Sequence, residues 1–249
     1  MARVHTSVLA AGERRLLTAI ASRLPSPITP DHLTLCGVVG GVLVGVGCVA
    51  SCYDFSWLSL AIVGLGLNWF GDSLDGSLAR LRGIERPRYG FFVDQFSDVV
   101  SHFLILIGMG LSPLMQLETA LLALLGSLLT MFYGHLSLPF KNSWQVSHYG
   151  VGPTELRVLI AAGMILVMLA DVPTVTTAFG PVTIFDAVGF LVFLAAIACV
   201  LIMFKADRAK LARIDPPRGR PPAEVSVIEL PAPETYGRRL TANDAHRRA

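Results

Sequence analysis

Charge is scarce in this chain. Asp, Glu, Lys and Arg make up 15% of its 249 residues, against about 25% in an ordinary soluble domain. Hydrophobic residues make up 53%, and the mean hydropathy is +0.61. This deficit excludes a typical soluble fold and points to a membrane protein. A net charge of +2 is too small to call for a nucleic-acid partner. The cysteines, Cys36, Cys48, Cys52 and Cys199, form no C-x-x-C pair and stand beside no histidine at metal-binding spacing. They read as buried apolar packing rather than metal ligands. The N-terminus lacks the short apolar core and small-residue cleavage site of a secretory signal, and no internal repeat stands out.

What the chain has in quantity is long apolar runs. Six are expected to be membrane-spanning helices, at roughly 31–51, 55–80, 89–112, 116–138, 155–171 and 182–205. Each approaches the ~20 residues that cross ~30 Å of hydrocarbon, where a lone segment can satisfy its backbone only as a helix. Before them, ERRLLTAIASRL puts Leu16, Leu17, Ile20, Ala21 and Leu24 on one helical face and Arg14, Arg15 and Arg23 on another. That pattern suits an amphipathic helix on the membrane surface or one packed on its own protein. Thr29, Pro30 and Asp31 then read as cap, first turn and dipole partner of the first span.

Basic residues set the expected orientation. Connections 51–55, 112–117 and 171–182 hold no Lys or Arg, whereas Arg80, Arg82, Arg86 and Arg88 crowd the second connection, and Lys141 and Arg157 flank the fourth. The positive-inside rule puts those two connections and both termini in the cytoplasm. The expected division is an N-terminal cytoplasmic segment 1–30, a six-helix membrane domain 31–206 and a disordered cytoplasmic tail 207–249. In that tail Arg208, Lys210, Arg213, Arg218 and Arg220 lie within reach of anionic headgroups.

The few acids are concentrated. Asp72 and Asp75 lie three apart at the end of the second span, with Asn68 one turn before and Gly76 and Ala79 continuing the stripe. On the third span Gly90, Asp94, Asp98 and His102 recur every four residues. These spacings place each set on one helical face. The short connection makes the two spans expected antiparallel neighbours, so two acidic stripes face each other at one depth. Four carboxylates there require protons or cations. Oxygen ligands suit Mg²⁺, Mn²⁺ or Ca²⁺, and four can hold two ions about 3.5–4 Å apart for in-line phosphoryl chemistry. Gly76, Ala79 and Gly90 admit close approach of a ligand, and Arg80 offers a cation to a pyrophosphate. The residues alone do not choose between Asp94 and Asp98 as a base.

The pattern D72-x2-D75-G76-x2-A79-R80-x9-G90-x3-D94-x3-D98 resembles the signature of the CDP-alcohol phosphotransferases, membrane enzymes of phospholipid synthesis. The six-span layout with an N-terminal surface helix also resembles their bacterial members, over about 13–206. The resemblance implies an all-α integral membrane enzyme of the bacterial cytoplasmic membrane, with its site open to the cytoplasm. It implies attack by an acceptor hydroxyl on a CDP-linked alcohol with loss of CMP, two divalent cations, and compatibility with a homodimer. By position, Asp72, Asp75, Asp94 and Asp98 match metal ligands and Asp98 also the general base. Gly76, Ala79, Arg80 and Gly90 match nucleotide contacts. The expected reaction transfers a phosphatidyl group from CDP-diacylglycerol to a polar alcohol. Headgroup transfer from CDP-choline or CDP-ethanolamine to diacylglycerol uses the same motif.

A cation channel or transporter is the competing class, because intramembrane acids are common on ion paths. It leaves Gly76, Ala79, Arg80 and Gly90 unexplained. Asn68 and His102 read either as substrate contacts or as interhelical hydrogen-bonding groups. Lys141, His148, Glu155 and Arg157 are candidates for an acceptor pocket, with Thr154 a candidate helix cap. Glu118, Asp171 and Asp186 belong to the opposite side.

Overall fold

A computed structural model describes residues 2–4, 10–140, 143–145, 153–170, 174–177 and 180–216. Seven α-helices are seen among them: α1 (Ala10–Ala21), α2 (Pro30–Ala50), α3 (Leu58–Arg82), α4 (Pro87–Gly110), α5 (Leu117–Ser137), α6 (Pro153–Leu169) and α7 (Ile184–Ile214). Met1–Leu201 form one compact unit and Ile202–Ala249 a second. The described part of the second is the end of α7 and the two residues after it.

The sequence predicts six spans; four described helices, α2, α4, α5 and α7, are long and apolar enough to cross a membrane. The other two fall short for different reasons. α6 has 17 residues, about 25 Å of helix. α3 has 25, but Asn68, Asp72 and Asp75 dilute its apolar character. Large apolar side chains point outward along the outer helices, Phe92, Phe96 and Phe103 on α4 and Leu191 and Leu194 on α7 among them. Such a surface belongs in hydrocarbon.

Three further expectations change. α7 continues to Ile214, past the expected start of the tail at 207, because ADRAKLARI is rich in strong helix formers. Residues 217–249 lie outside the described residues. The all-α reading also missed two small sheets. β1 (Ala2–Val4) pairs in parallel with β2 (Ser143–Gln145), and β3 (Thr174–Thr177) pairs antiparallel with β4 (Gly180–Thr183). The Thr and Val of TVTT favour extended backbone. Of the cysteines only Cys48 is buried; Cys52 is exposed on the turn after α2, its thiol 3.5 Å from the Leu111 carbonyl.

α2 is the organising helix. Its start is the predicted one: the Thr29 hydroxyl accepts from the His32 amide, the His32 ring from the Thr29 amide, and Pro30 occupies the first turn. Along its length α2 packs on both α3 and α4, which meet each other only briefly. The expected pair of direct neighbours is therefore a pair splayed around a third helix. Glycine makes this possible. A Cβ on Gly40 would sit 2.6 Å from the Gly64 carbonyl oxygen, and one on Gly64 2.7 Å from that of Gly40. The α2 and α3 backbones touch, as at membrane interfaces built from small residues.

Apolar packing then brackets a polar layer. Val44, Cys48, Leu58, Ala61 and Leu65 belong to one buried cluster; Leu17, Ala21, Leu33, Leu74 and Leu78 form another. The second buries the inner face of α1, with Leu17 and Ala21 under the end of α3. Between the clusters, along α3, lie Asn68 and Asp72, and Asp75 follows within the second cluster.

Candidate metal centre

α3 ends where Gly83 adopts a left-handed conformation, φ 65°, which glycine alone adopts without strain. Pro87 opens α4 four residues later, so the chain turns back sharply. The turn is tied down by its arginines. Arg86 Nη2 donates to both carboxylate oxygens of Asp31, at 3.0 and 2.8 Å, and its guanidinium lies 3.8 Å over the Tyr89 ring. The Asp31 carboxylate holds the Arg86 guanidinium above its usual pKa. Arg82 donates to the carbonyls of Leu24, Pro25, Ser26 and Ile28. Both residues, read first as orientation signals, also clamp this end of the molecule.

The turn delivers Asp72 from α3 and Asp94 and Asp98 from α4 to one place. One carboxylate oxygen from each lies within 4.8 Å of the others. A hard cation takes oxygen ligands at about 2.0–2.6 Å, so the three are placed as candidate ligands of a shared ion. Every donor is a carboxylate oxygen, the set preferred by Mg²⁺ and Mn²⁺. The residues therefore fit a divalent metal.

Asp75, the fourth acid of the sequence reading, is placed differently. It is 9% exposed, and its Oδ2 accepts from the Thr34 hydroxyl of α2 at 2.7 Å. It stands beside the three-acid group rather than within it. The Gly76 amide also donates to it. Gly76, Ala79 and Arg80 follow on the last turns of α3, with exposed Arg80 donating to the Ser77 hydroxyl at 3.3 Å. Gly90 is exposed in the first turn of α4, with nothing within 4 Å of where its Cβ would be.

Asn68 joins four helices. It is 1% exposed. Its Nδ2 donates to the Gly37 carbonyl of α2 at 2.9 Å and to the Ser101 hydroxyl of α4 at 3.1 Å. Its Oδ1 accepts from Arg157 Nε of α6 at 2.9 Å. Arg157 Nη2 meanwhile donates to Asp72 Oδ2 at 2.9 Å, with side-chain exposures of 15% and 24%. Of the two readings of Asn68, the interhelical one accounts for both its donors and its acceptor. His102 bonds through Nδ1 to the Asp98 carbonyl of its own helix at 2.7 Å.

α6 is held at its start as well. Thr154 donates to Glu13 Oε1 at 2.9 Å, and the same oxygen accepts from Trp69 Nε1 at 2.8 Å. Thr154 thus lies inside α6 and binds α1. Glu155 lies in the first turn of α6, while Lys141 and His148 lie outside the described residues. Asp186 sits far along the chain, 3% exposed, accepting from the amides of Gln116 and Thr183, a structural use that agrees with its expected distance from the acids.

A narrow cleft, partly open to solvent, runs beside Asp72 and Asp98. Thr34, Gly37 and Val38 of α2, Asn68, and Ser97 and Ser101 of α4 complete its lining. Sequence reasoning missed Thr34, Ser97 and Ser101. Their signal was present but faint. Ser101 follows Asp98 by three, on the acid face, and Thr34 is a lone hydroxyl entering a glycine-rich apolar run.

No curated protein matches the chain. A family model does, that of the CDP-alcohol phosphatidyltransferases, over residues 27–206. That range runs from the approach to α2 well into α7 and includes every acid of the cluster and the Gly40–Gly64 contact. With four apolar helices of spanning length, the protein is an integral membrane protein, and it belongs to the CDP-alcohol phosphatidyltransferase family.

Proposed function

We propose that the protein transfers a phosphatidyl group from CDP-diacylglycerol to a polar alcohol and releases CMP. The observation that carries this is the convergence of Asp72, Asp94 and Asp98 from two helices, within 4.8 Å of one another, in a chain of this family. Two divalent cations, when bound, would neutralise the pyrophosphate, acidify the attacking hydroxyl and stabilise the leaving phosphate. Asp72, Asp94 and Asp98 would hold them, with Asp75 turning from Thr34 to complete the set.

The chain's own residues supply the rest. Asp98 accepts the acceptor's proton. The acceptor oxygen forms a bond to the phosphorus distal to cytidine, and the bond from that phosphorus to the bridging oxygen breaks. CMP takes the electron pair. Gly76, Ala79 and Gly90 leave room for the nucleotide, and exposed Arg80 faces its phosphates. Glu155 and Arg157 serve the acceptor side. The site opens to the cytoplasm of a bacterial inner membrane, with α3 and α6 completing six spans and α1 lying along the surface. A homodimer is compatible with the outward apolar faces of α4 and α7.

CMP release by the purified protein in lipid micelles tests this reading. CDP-diacylglycerol is offered with a panel of alcohols, and CDP-choline and CDP-ethanolamine with diacylglycerol, each with Mg²⁺ or Mn²⁺ and with chelator. CMP from CDP-diacylglycerol with one alcohol, abolished by chelator, is the expected result. CMP only from the headgroup donors reverses donor and acceptor. Metal-dependent cation flux without nucleotide binding would replace the enzyme with an ion pathway.

A further inference from the structure

We propose that Arg157 is an internal counter-cation for the metal site: it holds the acid cluster before metal arrives and releases Asp72 when metal binds. The inference rests on reading Asp72, Asp94 and Asp98 as metal ligands, and it concerns what holds them without metal.

Three carboxylates from two helices with oxygens within 4.8 Å repel one another unless a positive charge is near. Arg157 places one 2.9 Å from Asp72 Oδ2. It comes from α6, across 85 residues of sequence, and the pair is largely withdrawn from water. A guanidinium so close competes with a metal for the same carboxylate, and it repels a divalent ion seated there.

The seat of Arg157 is also incomplete. Nε is satisfied by Asn68 and Nη2 by Asp72, but Nη1 is buried with no hydrogen-bond partner. Buried donors are ordinarily bonded, so this position is one the side chain can leave without losing a full set of bonds. The backbone need not follow. Thr154, three residues earlier, is pinned to Glu13, which holds the first turn of α6 while the long side chain moves. Arg157 is therefore a positioning residue that tunes how readily Asp72 accepts metal.

Mn²⁺ binding, followed by the loss of the free-ion electron paramagnetic resonance signal with purified protein in detergent, tests the inference without turnover. Arg157→Gln should bind Mn²⁺ about tenfold tighter than wild type, the size of a typical coupling between two sites. Its metal-free thermal midpoint should be lower than wild type, and added Mn²⁺ should raise that midpoint by more. Arg157→Lys keeps the charge but cannot bond Asn68 and Asp72 together. It serves if the glutamine form does not fold, and should bind two- to threefold tighter than wild type by the same reasoning. Equal or weaker Mn²⁺ binding in whichever variant folds overturns the inference. The reading beneath it is separated by Asp94→Asn: binding in wild type that this variant loses keeps the metal site, whatever Arg157 does. No Mn²⁺ bound by wild type overturns both.

Discussion

Asn68→Ala removes three hydrogen bonds from a residue that is 1% exposed. Two are neutral, to Gly37 and Ser101. The third comes from the Arg157 guanidinium. Neutral interhelical bonds in membranes contribute about 0.6–1 kcal/mol each, and one from a buried charge about 1.5–3, giving roughly 3–5 kcal/mol in all. The change also strands Arg157 Nε in a layer between two apolar clusters. For a protein of this size that predicts a thermal midpoint lower by about 6–20 °C. Circular dichroism melts in lipid micelles measure it. Mn²⁺ should bind more tightly to the folded variant than to wild type, because Arg157 loses one of the two bonds that hold it at Asp72. Asn68→Asp separates the effects: it keeps an acceptor for Arg157 and loses both donations. A midpoint within 2 °C of wild type for Asn68→Ala, about half a kcal/mol, would refute the four-helix clasp.

Other outcomes follow from single contacts. Asp94→Asn should abolish CMP release while the circular dichroism spectrum stays that of folded protein, since it removes a ligand charge and keeps the shape; near-normal turnover at any Mg²⁺ concentration would sink the metal assignment. Thr34→Val keeps the shape but removes the 2.7 Å bond to Asp75; with no bond to give up, Asp75 should join the metal set more readily, so half-maximal activity should come at a lower Mg²⁺ concentration; an unchanged Mg²⁺ dependence would make that bond incidental. Gly40→Ala puts a methyl 2.6 Å from the Gly64 carbonyl oxygen, which forces the α2 and α3 backbones apart at a cost of about 1–3 kcal/mol or more. Its yield of folded protein in detergent should drop sharply, whereas Gly12→Ala, with nothing within 4 Å, should leave yield unchanged.

Much of this site is legible in the sequence because it is local. Asp72, Asp94 and Asp98 sit on two helices joined by a four-residue turn, so helical periodicity alone aligns them. Thr29 and Pro30 mark the start of α2 for the same reason. What escaped was carried by distant partners. Nothing near Asp72 in the chain indicates that Arg157 pairs with it. Nothing in the α2 glycines says that they admit α3 rather than merely fill an apolar span. With that contact unseen, α3 and α4 read as direct neighbours, and Thr34 went unnoticed. Asp75 looked equivalent to Asp72 at a spacing of three, yet on the helix it turns toward α2 and takes a hydroxyl instead. β3 and β4 were missed because eight residues of strand leave little periodicity between long apolar runs.

Arg82 bonds carbonyls at Leu24, Pro25, Ser26 and Ile28, residues made long before it. During synthesis the bend between α1 and α2 therefore has no final clasp until the far end of α3 has emerged and α3 has come to lie against α2. The bend is completed by the third helix, not by its own residues. A chain stopped before residue 82 would hold α1 by the packing of Leu17 and Ala21 and the bond of Glu13 to Trp69, without the clasp at the bend. The order of assembly at this end of the protein is thus written in the position of one arginine.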